Sequence, residues 1–163
     1  MDGITEKRIE TLHPIIRDEV REIYETINNS LTAKGIICRF TSTYRTKAEQ
    51  TALYAQGRTD KTKPIVTMAK AGESYHNYGL AIDVCIIKNG VEASWDFSKD
   101  WDGDGVADLM EVIHIFQMNG WEWAGNWKTF KEKPHVQKTF GKTIMQLINS
   151  AKFSQDNFIY PVI

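Results

Sequence analysis

The run Ser74-Tyr75-His76-Asn77-Tyr78-Gly79-Leu80-Ala81-Ile82-Asp83 places a histidine and a carboxylate on either side of a glycine turn. The residues after Gly79 are apolar and partly β-branched, which predicts a buried strand over about 80–87 with Asp83 in its middle. A carboxylate in such a place is costly unless a cation or several hydrogen bonds compensate it. From these residues alone two interpretations are about equal. In the first interpretation Asp83 shares a metal ion with His76, and in the second Asp83 accepts backbone hydrogen bonds while His76 caps a loop.

Further elements are predicted on both sides of this run. Asn89-Gly90 predicts a hairpin turn into a partner strand over about 91–97. Thr46, with Glu49 three residues later, predicts a capping box for a helix over 46–56. Apolar spacing predicts the rest: helices over about 5–34 (with a break at Pro14 left open), 107–118 and 142–152, and strands over 35–43 and 134–139, with a polar loop over 58–73. This order predicts an α+β fold, a small antiparallel sheet flanked by helices.

The composition is typical of one globular domain. A chain of 163 residues that is 42% hydrophobic can bury one core, so we expect a single domain over residues 1–163. A net charge of −1 gives no electrostatic basis for a nucleic-acid partner. No segment approaches the roughly 18 apolar residues of a membrane span, and residues 1–8 show no signal-peptide pattern. We expect a monomer that stays in the cytoplasm unless another protein releases it, with Cys38 and Cys85 as buried free thiols.

A hydrolytic zinc site needs three protein ligands and an open position for water. His13 and His114 lie in predicted helices, where satisfied or surface histidines are the better interpretation. His135 begins a predicted strand and has Glu132 three residues upstream, so one segment could supply a ligand and a general base. Zinc lowers the pKa of its bound water towards about 7, and a neighbouring carboxylate can then take the proton. The alternative for Glu132 is a solvated charge among lysines.

The order and spacing of these motifs resemble a known family. The pattern Ser74-x-His76-x-x-Gly79-x-Ala81-x-Asp83, followed by Glu132-x-Pro134-His135, resembles the D-alanyl-D-alanine carboxypeptidase and VanY-like zinc peptidases. Within them it is most similar to the L-alanyl-D-glutamate endopeptidases of bacteriophage lysis systems. The resemblance covers about residues 36–137 and includes the segments 42–45, 49–50, 53–59, 66–67 and 120–130.

The resemblance implies a role for each motif residue. His76, Asp83 and His135 would bind Zn²⁺ at the sheet, Glu132 would be the catalytic base, and Arg45 would hold substrate or the oxyanion. The fixed fork of an arginine suits either task. Ser74 and Tyr78 could line the same cleft, although turn capping by Ser74 and packing by Tyr78 are nearly as well supported.

Residues 100–111 match the twelve-residue calcium loop of EF-hands, with Gly105 at its sharp turn. The predicted ligands are the carboxylates of Asp100, Asp102, Asp104, Asp108 and Glu111 and the backbone carbonyl of Val106. The incoming helix of an EF-hand is missing, because residues 95–97 are more typical of a strand, and the alternative is a solvated acidic loop. We expect Ca²⁺ to bind here and to order the segment that leads to Glu132.

Together these patterns predict a zinc-dependent peptidoglycan endopeptidase, a phage-type endolysin or host autolysin, that hydrolyses the L-Ala to D-Glu bond of the bacterial stem peptide. Such a protein would reach the cell wall from the host cytoplasm through a pore made by a separate protein. One alternative is a D-Ala-D-Ala carboxypeptidase with the same zinc site. A second, from another class, is a non-catalytic binding domain that keeps zinc structurally, although an intact Glu132 argues against it.

Overall fold

The structure, a computed structural model, describes residues 2–31 and 35–163. The helices are α1 (Gly3–Ile9), α2 (Arg17–Ser30), α3 (Lys47–Ala55), α4 (Asp108–Met118) and α5 (Ile144–Asn149), with 3₁₀ turns at Pro14–Ile16, Tyr75–Tyr78 and Ala124–Asn126. The strands are β1 (Ile36–Ser42), β2 (Ala81–Lys88), β3 (Glu92–Ser94), β4 (Glu122–Trp123), β5 (His135–Gln137), β6 (Lys152–Gln155) and β7 (Phe158–Pro161). Within these ranges no helix is both long and apolar enough to cross a membrane.

In the described ranges, β1 to β5 form one antiparallel sheet built around β2. Strand β1 pairs with one side of β2, whereas β5 and β3 pair with the start and the end of its other side, and β4 lies beyond β5. Successive side chains of a strand point to opposite faces, so Ile82 and Val84 enter the core while Asp83 points away from it. In β5 the same alternation buries Val136 and turns His135 to the face of Asp83, its direct partner. The predicted mixture of helices with a small antiparallel sheet is confirmed.

The main core lies between the inner face of the sheet and helices α1, α2 and α4. Tyr24 and Phe116 are fully buried on either side of Phe40, with ring centroids 5.4 and 6.0 Å from it. The Tyr24 hydroxyl donates to the Cys38 carbonyl at 2.8 Å, so the one polar group of this aromatic cluster is satisfied. This packing fixes β1 and β2 and leaves their outer face available for polar side chains.

The N-terminal region differs from the single helix predicted over 5–34. The chain instead forms α1, a 3₁₀ turn and α2, because Pro14 lacks an N–H and disfavours helical geometry at the residue before it. His13 caps the 3₁₀ turn, its ring being buried with Nε2 2.9 Å from the Pro161 carbonyl oxygen, whereas His114 is exposed on α4. Both histidines are thus structural or surface residues, as predicted. Residues 32–34 of the predicted helix lie outside the described residues.

Most other predicted elements form, with shorter bounds. Thr46 and Glu49 make both hydrogen bonds of the predicted capping box at the start of α3. The strand predicted over 91–97 ends at Ser94, so residues 95–97 are not strand, and residues 61–73 contain neither helix nor strand. The helix predicted over 142–152 is confined to α5 and is followed by a hairpin of β6 and β7 that was not predicted. Both cysteines are free and buried, as predicted.

Candidate metal centre and substrate cleft

The three predicted zinc ligands meet on the outer face of the sheet. His76 lies on the 3₁₀ turn before β2, Asp83 lies within β2, and His135 opens β5. One ligand atom from each residue lies within 4.8 Å of the others. His76 Nε2 is 3.1 Å from His135 Nδ1, and the two Asp83 carboxylate oxygens lie 3.3 and 3.2 Å from these nitrogens. Residues far apart in sequence thus form one compact donor set.

Gly79 explains the spacing within the first motif. It ends the 3₁₀ turn with φ at +66°, a left-handed conformation that glycine adopts without steric cost. A Cβ there would lie 2.6 Å from the backbone nitrogen of His13, which donates to the Gly79 carbonyl at 2.9 Å. The glycine therefore lets the chain reverse tightly between His76 and β2 while the N-terminal segment packs against the turn.

Hydrogen bonds outside the cluster decide which nitrogen of each imidazole faces inward. His76 Nδ1 lies 2.7 Å from the carbonyl oxygen of Thr43, which can only accept, so this nitrogen carries the hydrogen. His135 Nε2 lies 3.0 Å from Gln137 Oε1, and the amide nitrogen of Gln137 donates to Glu122 Oε2 at 3.2 Å. In neutral histidines the inward nitrogens, His76 Nε2 and His135 Nδ1, therefore present lone pairs. Two such lone pairs and a carboxylate are a donor set that fits Zn²⁺.

The charges of the cluster also favour a cation. Burial lowers the pKa of His76, although the charge and hydrogen bond of Asp83 act in the opposite direction. Burial by itself would raise the pKa of Asp83, but the charges and hydrogen bonds of His76 and His135 hold it well below its usual value. For His135, burial acts to lower the pKa, and the hydrogen bond and charge of Asp83 outweigh it, so the pKa is raised. Asp83 is thus a carboxylate that draws positive charge into the cluster.

Glu132 lies beside the donor set. Its Oε2 is 3.8 Å from His135 Nδ1, and its backbone carbonyl accepts from the His135 N–H at 3.1 Å. Burial raises the pKa of Glu132 despite the opposing charge of His135. A carboxylate with a raised pKa next to residues that could hold a metal ion has the properties expected of a general base.

Arg45 borders the donor set from the loop between β1 and α3. Its Nη2 donates to Ser42 Oγ at 2.9 Å and to Asp83 Oδ2 at 3.3 Å, while its Nη1 donates to Gln50 Oε1 at 3.0 Å. Its backbone N–H donates to the His76 carbonyl at 2.9 Å. The guanidinium is therefore tied both to the histidine turn and to the carboxylate of the cluster.

A cleft of about 820 Å³ opens over the donor set. Besides the cluster, Arg45 and Glu132, its lining comes mainly from residues 66–69, 73–75, 127, 129 and 130. Ser74 lines the cleft and also accepts from the His76 N–H at 3.3 Å, so both interpretations of this residue hold. Tyr78 is buried, its hydroxyl donates to the Gly72 carbonyl at 2.6 Å, and it does not line the cleft. For Tyr78 the packing alternative is correct.

Two site residues were missed by the sequence analysis. Gln50 contacts Arg45, and Gln137 contacts His135, each through a side-chain oxygen. Nothing in a single sequence distinguishes these glutamines from surface ones, because their roles depend on partners brought close by the fold.

The acidic loop over 100–111 brings its carboxylates together in two groups. The first contains Asp100, Asp102 and Asp108, the second contains Asp102, Asp104 and Glu111, and within each group the oxygens lie within 4.8 Å of one another. Among the described residues, Asp108 Oδ1 and Glu111 Oε2 are buried without a hydrogen-bond partner. Burial raises the pKa of Asp108 and that of Glu111, and the negative charges of the neighbouring carboxylates raise both pKa values further. The loop thus holds buried carboxylate oxygens that lack compensation.

Comparison with known proteins identifies the family. Residues 67–138 match a family described as D-alanyl-D-alanine carboxypeptidase. Over 126 residues the chain is 42% identical to the peptidoglycan L-alanyl-D-glutamate endopeptidase CwlK of Bacillus subtilis (strain 168), an alignment spanning 77% of this chain and 72% of that protein. This chain belongs to the D-alanyl-D-alanine carboxypeptidase family. The resemblance drawn from the motifs is therefore confirmed, and the chain is classed as a metallopeptidase.

A solved structure of the family supports the fold. The crystal structure of the Serratia marcescens L-Ala D-Glu endopeptidase ChiX superposes with a TM-score of 0.54 at 25% sequence identity, covering 86% of this chain and 90% of that one. The family match over 67–138 contains the three donor residues and Glu132. Arg45 lies outside that match.

Proposed function

We propose that this member of the D-alanyl-D-alanine carboxypeptidase family is a zinc-dependent endopeptidase that hydrolyses the L-Ala to D-Glu bond of the peptidoglycan stem peptide. The observation that carries the proposal is the donor set of His76, Asp83 and His135 beneath a cleft that also holds Glu132 and Arg45. The choice of bond is supported by two relatives, CwlK and ChiX, whose names specify it.

His76, Asp83 and His135 would hold the Zn²⁺ through His76 Nε2, His135 Nδ1 and the carboxylate. When bound, the metal would supply Lewis acidity and lower the pKa of a coordinated water molecule. The hydrogen bonds to Thr43 and Gln137 would keep both imidazoles in the tautomer that can ligate.

Glu132 and Arg45 would act on the substrate. The Glu132 carboxylate would take the proton of the attacking water and return it to the leaving amine, a transfer that its raised pKa favours. The Arg45 guanidinium would donate to the scissile carbonyl oxygen as negative charge develops there, or bind a carboxylate of the stem peptide. Its ties to Ser42 and Gln50 restrict its rotation and therefore its position in the cleft.

Digestion of defined muropeptides, followed by mass spectrometry, tests this function. We expect fragments with D-Glu as the new amino terminus. Release of a terminal D-Ala would instead identify a D-Ala-D-Ala carboxypeptidase, and no cleavage by a zinc-loaded protein would favour a non-catalytic binding domain.

The Glu132→Gln variant tests the base in the same assay. We expect hydrolysis to fall at least about 100-fold, because the amide cannot take up a proton, while zinc content remains that of the unmodified protein. Undiminished hydrolysis would refute the assignment of Glu132 as the base.

We also propose that the loop over 100–111 binds Ca²⁺. Asp108 and Glu111 each bury an oxygen that lacks a partner among the described residues, and a hard cation with oxygen ligands would compensate both. Phe97, just before the loop, stacks on Trp123 with ring centroids 6.4 Å apart, and Trp123 Nε1 donates to the carbonyl of Lys133, next to Glu132, at 2.7 Å. Through these contacts, ordering of the loop by Ca²⁺ would also help to fix the position of Glu132, the proposed base.

Titration of the zinc-loaded protein with Ca²⁺ checks this second site. We expect a higher melting temperature and higher activity, and both responses should be weakened in Asp108→Asn, which removes a buried charge at similar volume. Mg²⁺ at the same concentration is the control for a general ionic effect. If neither the melting temperature nor the activity changes with Ca²⁺, the loop does not bind Ca²⁺ as proposed.

A role as a lysis enzyme completes the proposal. It is supported by the resemblance to bacteriophage lysis endopeptidases, and it requires passage from the host cytoplasm to the wall through a separate pore. Expression in the cytoplasm should leave cells intact until the inner membrane is permeabilised, after which lysis should follow. Intact cells after permeabilisation would argue against this role.

A further inference from the structure

We propose that Gln50 is a positioning residue that holds the Arg45 guanidinium towards the cleft and ties it to the cleft wall at residues 67–69. The inference rests on the role proposed above for Arg45. It concerns a side chain that does not line the cleft itself.

Gln50 is fully buried on α3, and each end of its amide has a partner. Its Oε1 accepts from Arg45 Nη1 at 3.0 Å. Its Nε2 donates to the Ala69 carbonyl at 2.8 Å and lies 3.4 Å from Thr67 Oγ1. Since a buried amide is costly without such partners, the side chain is fixed by all of them at once.

The chemistry of the partners fixes the orientation of the amide. An arginine can only donate, and a backbone carbonyl can only accept, so the oxygen of Gln50 must face Arg45 and its nitrogen must face Ala69. A flipped amide would lose both bonds. Gln50 therefore links the Arg45 guanidinium to the Ala69 backbone, and only one orientation of its amide can make both hydrogen bonds.

A neutral acceptor at this place has a specific effect on Arg45. The other nitrogen of the guanidinium, Nη2, already faces Asp83 Oδ2 at 3.3 Å. Without Gln50, only the Ser42 hydroxyl would hold the guanidinium back from the Asp83 carboxylate, so Arg45 could turn further onto Asp83, compete there with a metal ion and lose contact with the substrate. Glutamine holds the group without neutralising its charge, which a carboxylate at position 50 would do.

The second contact of Gln50 stabilises a wall of the cleft that has no helix or strand. Residues 67–69 line the cleft, and Thr67 Oγ1 accepts from the Ala69 N–H at 3.2 Å. Arg58 Nη1 donates to the Thr67 carbonyl at 3.1 Å from the other side. Gln50 thus sets the spacing between this wall and Arg45, the two parts that would contact one substrate.

A double-mutant cycle with Gln50→Met and Arg45→Lys tests the inference. Methionine has a similar volume and makes no comparable hydrogen bonds. In the otherwise unmodified enzyme, Gln50→Met should lower kcat/KM at least about tenfold, and in the Arg45→Lys background it should lower it less than about twofold, because the two side chains act through one contact. Zinc content and melting temperature are measured for every variant, and Thr51→Met, at an exposed position of the same helix, is the matched control.

The outcomes separate this inference from the proposed function. Equal losses from Gln50→Met in both backgrounds would show that Gln50 only supports the fold and would overturn the inference while leaving the function intact. Full activity of Arg45→Lys would overturn the role of Arg45 and the inference together. If Gln50→Met does not fold, Gln50→Glu replaces it. That variant keeps an acceptor beside Arg45 but adds a negative charge, so kcat/KM should fall at least about fivefold with zinc retained, and unchanged kinetics would contradict the inference.

Discussion

At the scale of single residues, His135 faces the donor set through Nδ1 because Gln137 Oε1 occupies the other side of its ring. Gln137 is itself held by Glu122, which also accepts from the Thr139 hydroxyl at 2.9 Å. This chain of hydrogen bonds sets the direction of His135, one of the proposed metal ligands, from outside the donor set. Side chains that hydrogen-bond to a metal-binding histidine generally affect the metal affinity as well as the geometry of the site.

Replacing Gln137 with leucine should therefore weaken zinc binding. We expect an affinity about 10–100-fold lower, because His135 loses the acceptor that fixes its tautomer. Competition with a coloured chelator measures the change. The same substitution at the exposed Gln155 should leave the affinity unchanged, and an unaltered affinity in Gln137→Leu would show that the ring needs no such support.

At the scale of elements, the turn between His76 and β2 joins three parts of the fold. Gly79 contacts the N-terminal segment at His13, and Tyr160 of β7 packs on the same place, 3.1 Å from where a Cβ of residue 79 would stand. Tyr160 is fully buried and donates to the Thr11 carbonyl at 3.0 Å. The histidine turn is thus held from behind by the segment around His13, which follows α1, and by β7.

Gly79→Ala should consequently destabilise the protein by more than the left-handed conformation alone would cost. A positive φ costs a non-glycine residue about 1–2 kcal/mol, and the contact with His13 adds to this. Gly90→Ala is the matched control, because its φ is +76° and nothing lies within 4 Å of its added Cβ. Urea unfolding of the two variants gives the difference, and equal losses would mean that the contact is relieved without cost.

The hairpin of β6 and β7 was not predicted, although the residue types at its turn are a local sequence signal for a hairpin. Asp156 and Asn157 both have positive φ, which is the geometry of a tight hairpin turn that these residue types favour. Its strands have only four residues each, too short for a clear alternation. An Asp-Asn pair between Phe153 and Phe158 was the signal that could have found it.

At the scale of the whole molecule, elements with a local cause could be predicted from the sequence. The β2 strand follows from its apolar run, and the α3 start follows from Thr46 and Glu49. The donor residues could also be predicted, because their motifs resemble a family. The contacts of Gln50 and Gln137 could not, since they depend on how α3, β5 and the cleft wall pack together.

The N-terminus is joined to the sheet by an ion pair that should make stability depend on pH. Both oxygens of Asp2 accept from Arg39 of β1 at 2.9 Å, and one also caps α1 at the Thr5 N–H. The hydrogen bond to Arg39 is the main reason why the pKa of Asp2 is lowered to about 2 from 3.8. Because the folded pKa is the lower one, the carboxylate stabilises the fold fully above about pH 5, and this contribution is lost as the pH falls towards 2.

Asp2→Asn should accordingly lower the free energy of unfolding by about 1–2 kcal/mol at pH 7. The difference from the unmodified protein should shrink steadily between pH 5 and 2, as measured by urea unfolding at each pH. Arg39→Met removes the partner and should give the same pattern. A difference that stays constant down to pH 2 would show that the ion pair does not contribute.

The positions of two tryptophans allow binding at each proposed ion site to be followed by fluorescence. The indole ring of Trp127 lies 5.6 Å from the imidazole of His135, and the backbone of Trp101 donates to Asp108 within the acidic loop. An absorbing ion such as Co²⁺ at the donor set should quench the fluorescence of Trp127, whereas Ca²⁺ in the loop should shift the emission of Trp101. In two variants, one with phenylalanine in place of Trp101 and one with phenylalanine in place of Trp127, ion binding at the donor set and at the acidic loop could be followed separately.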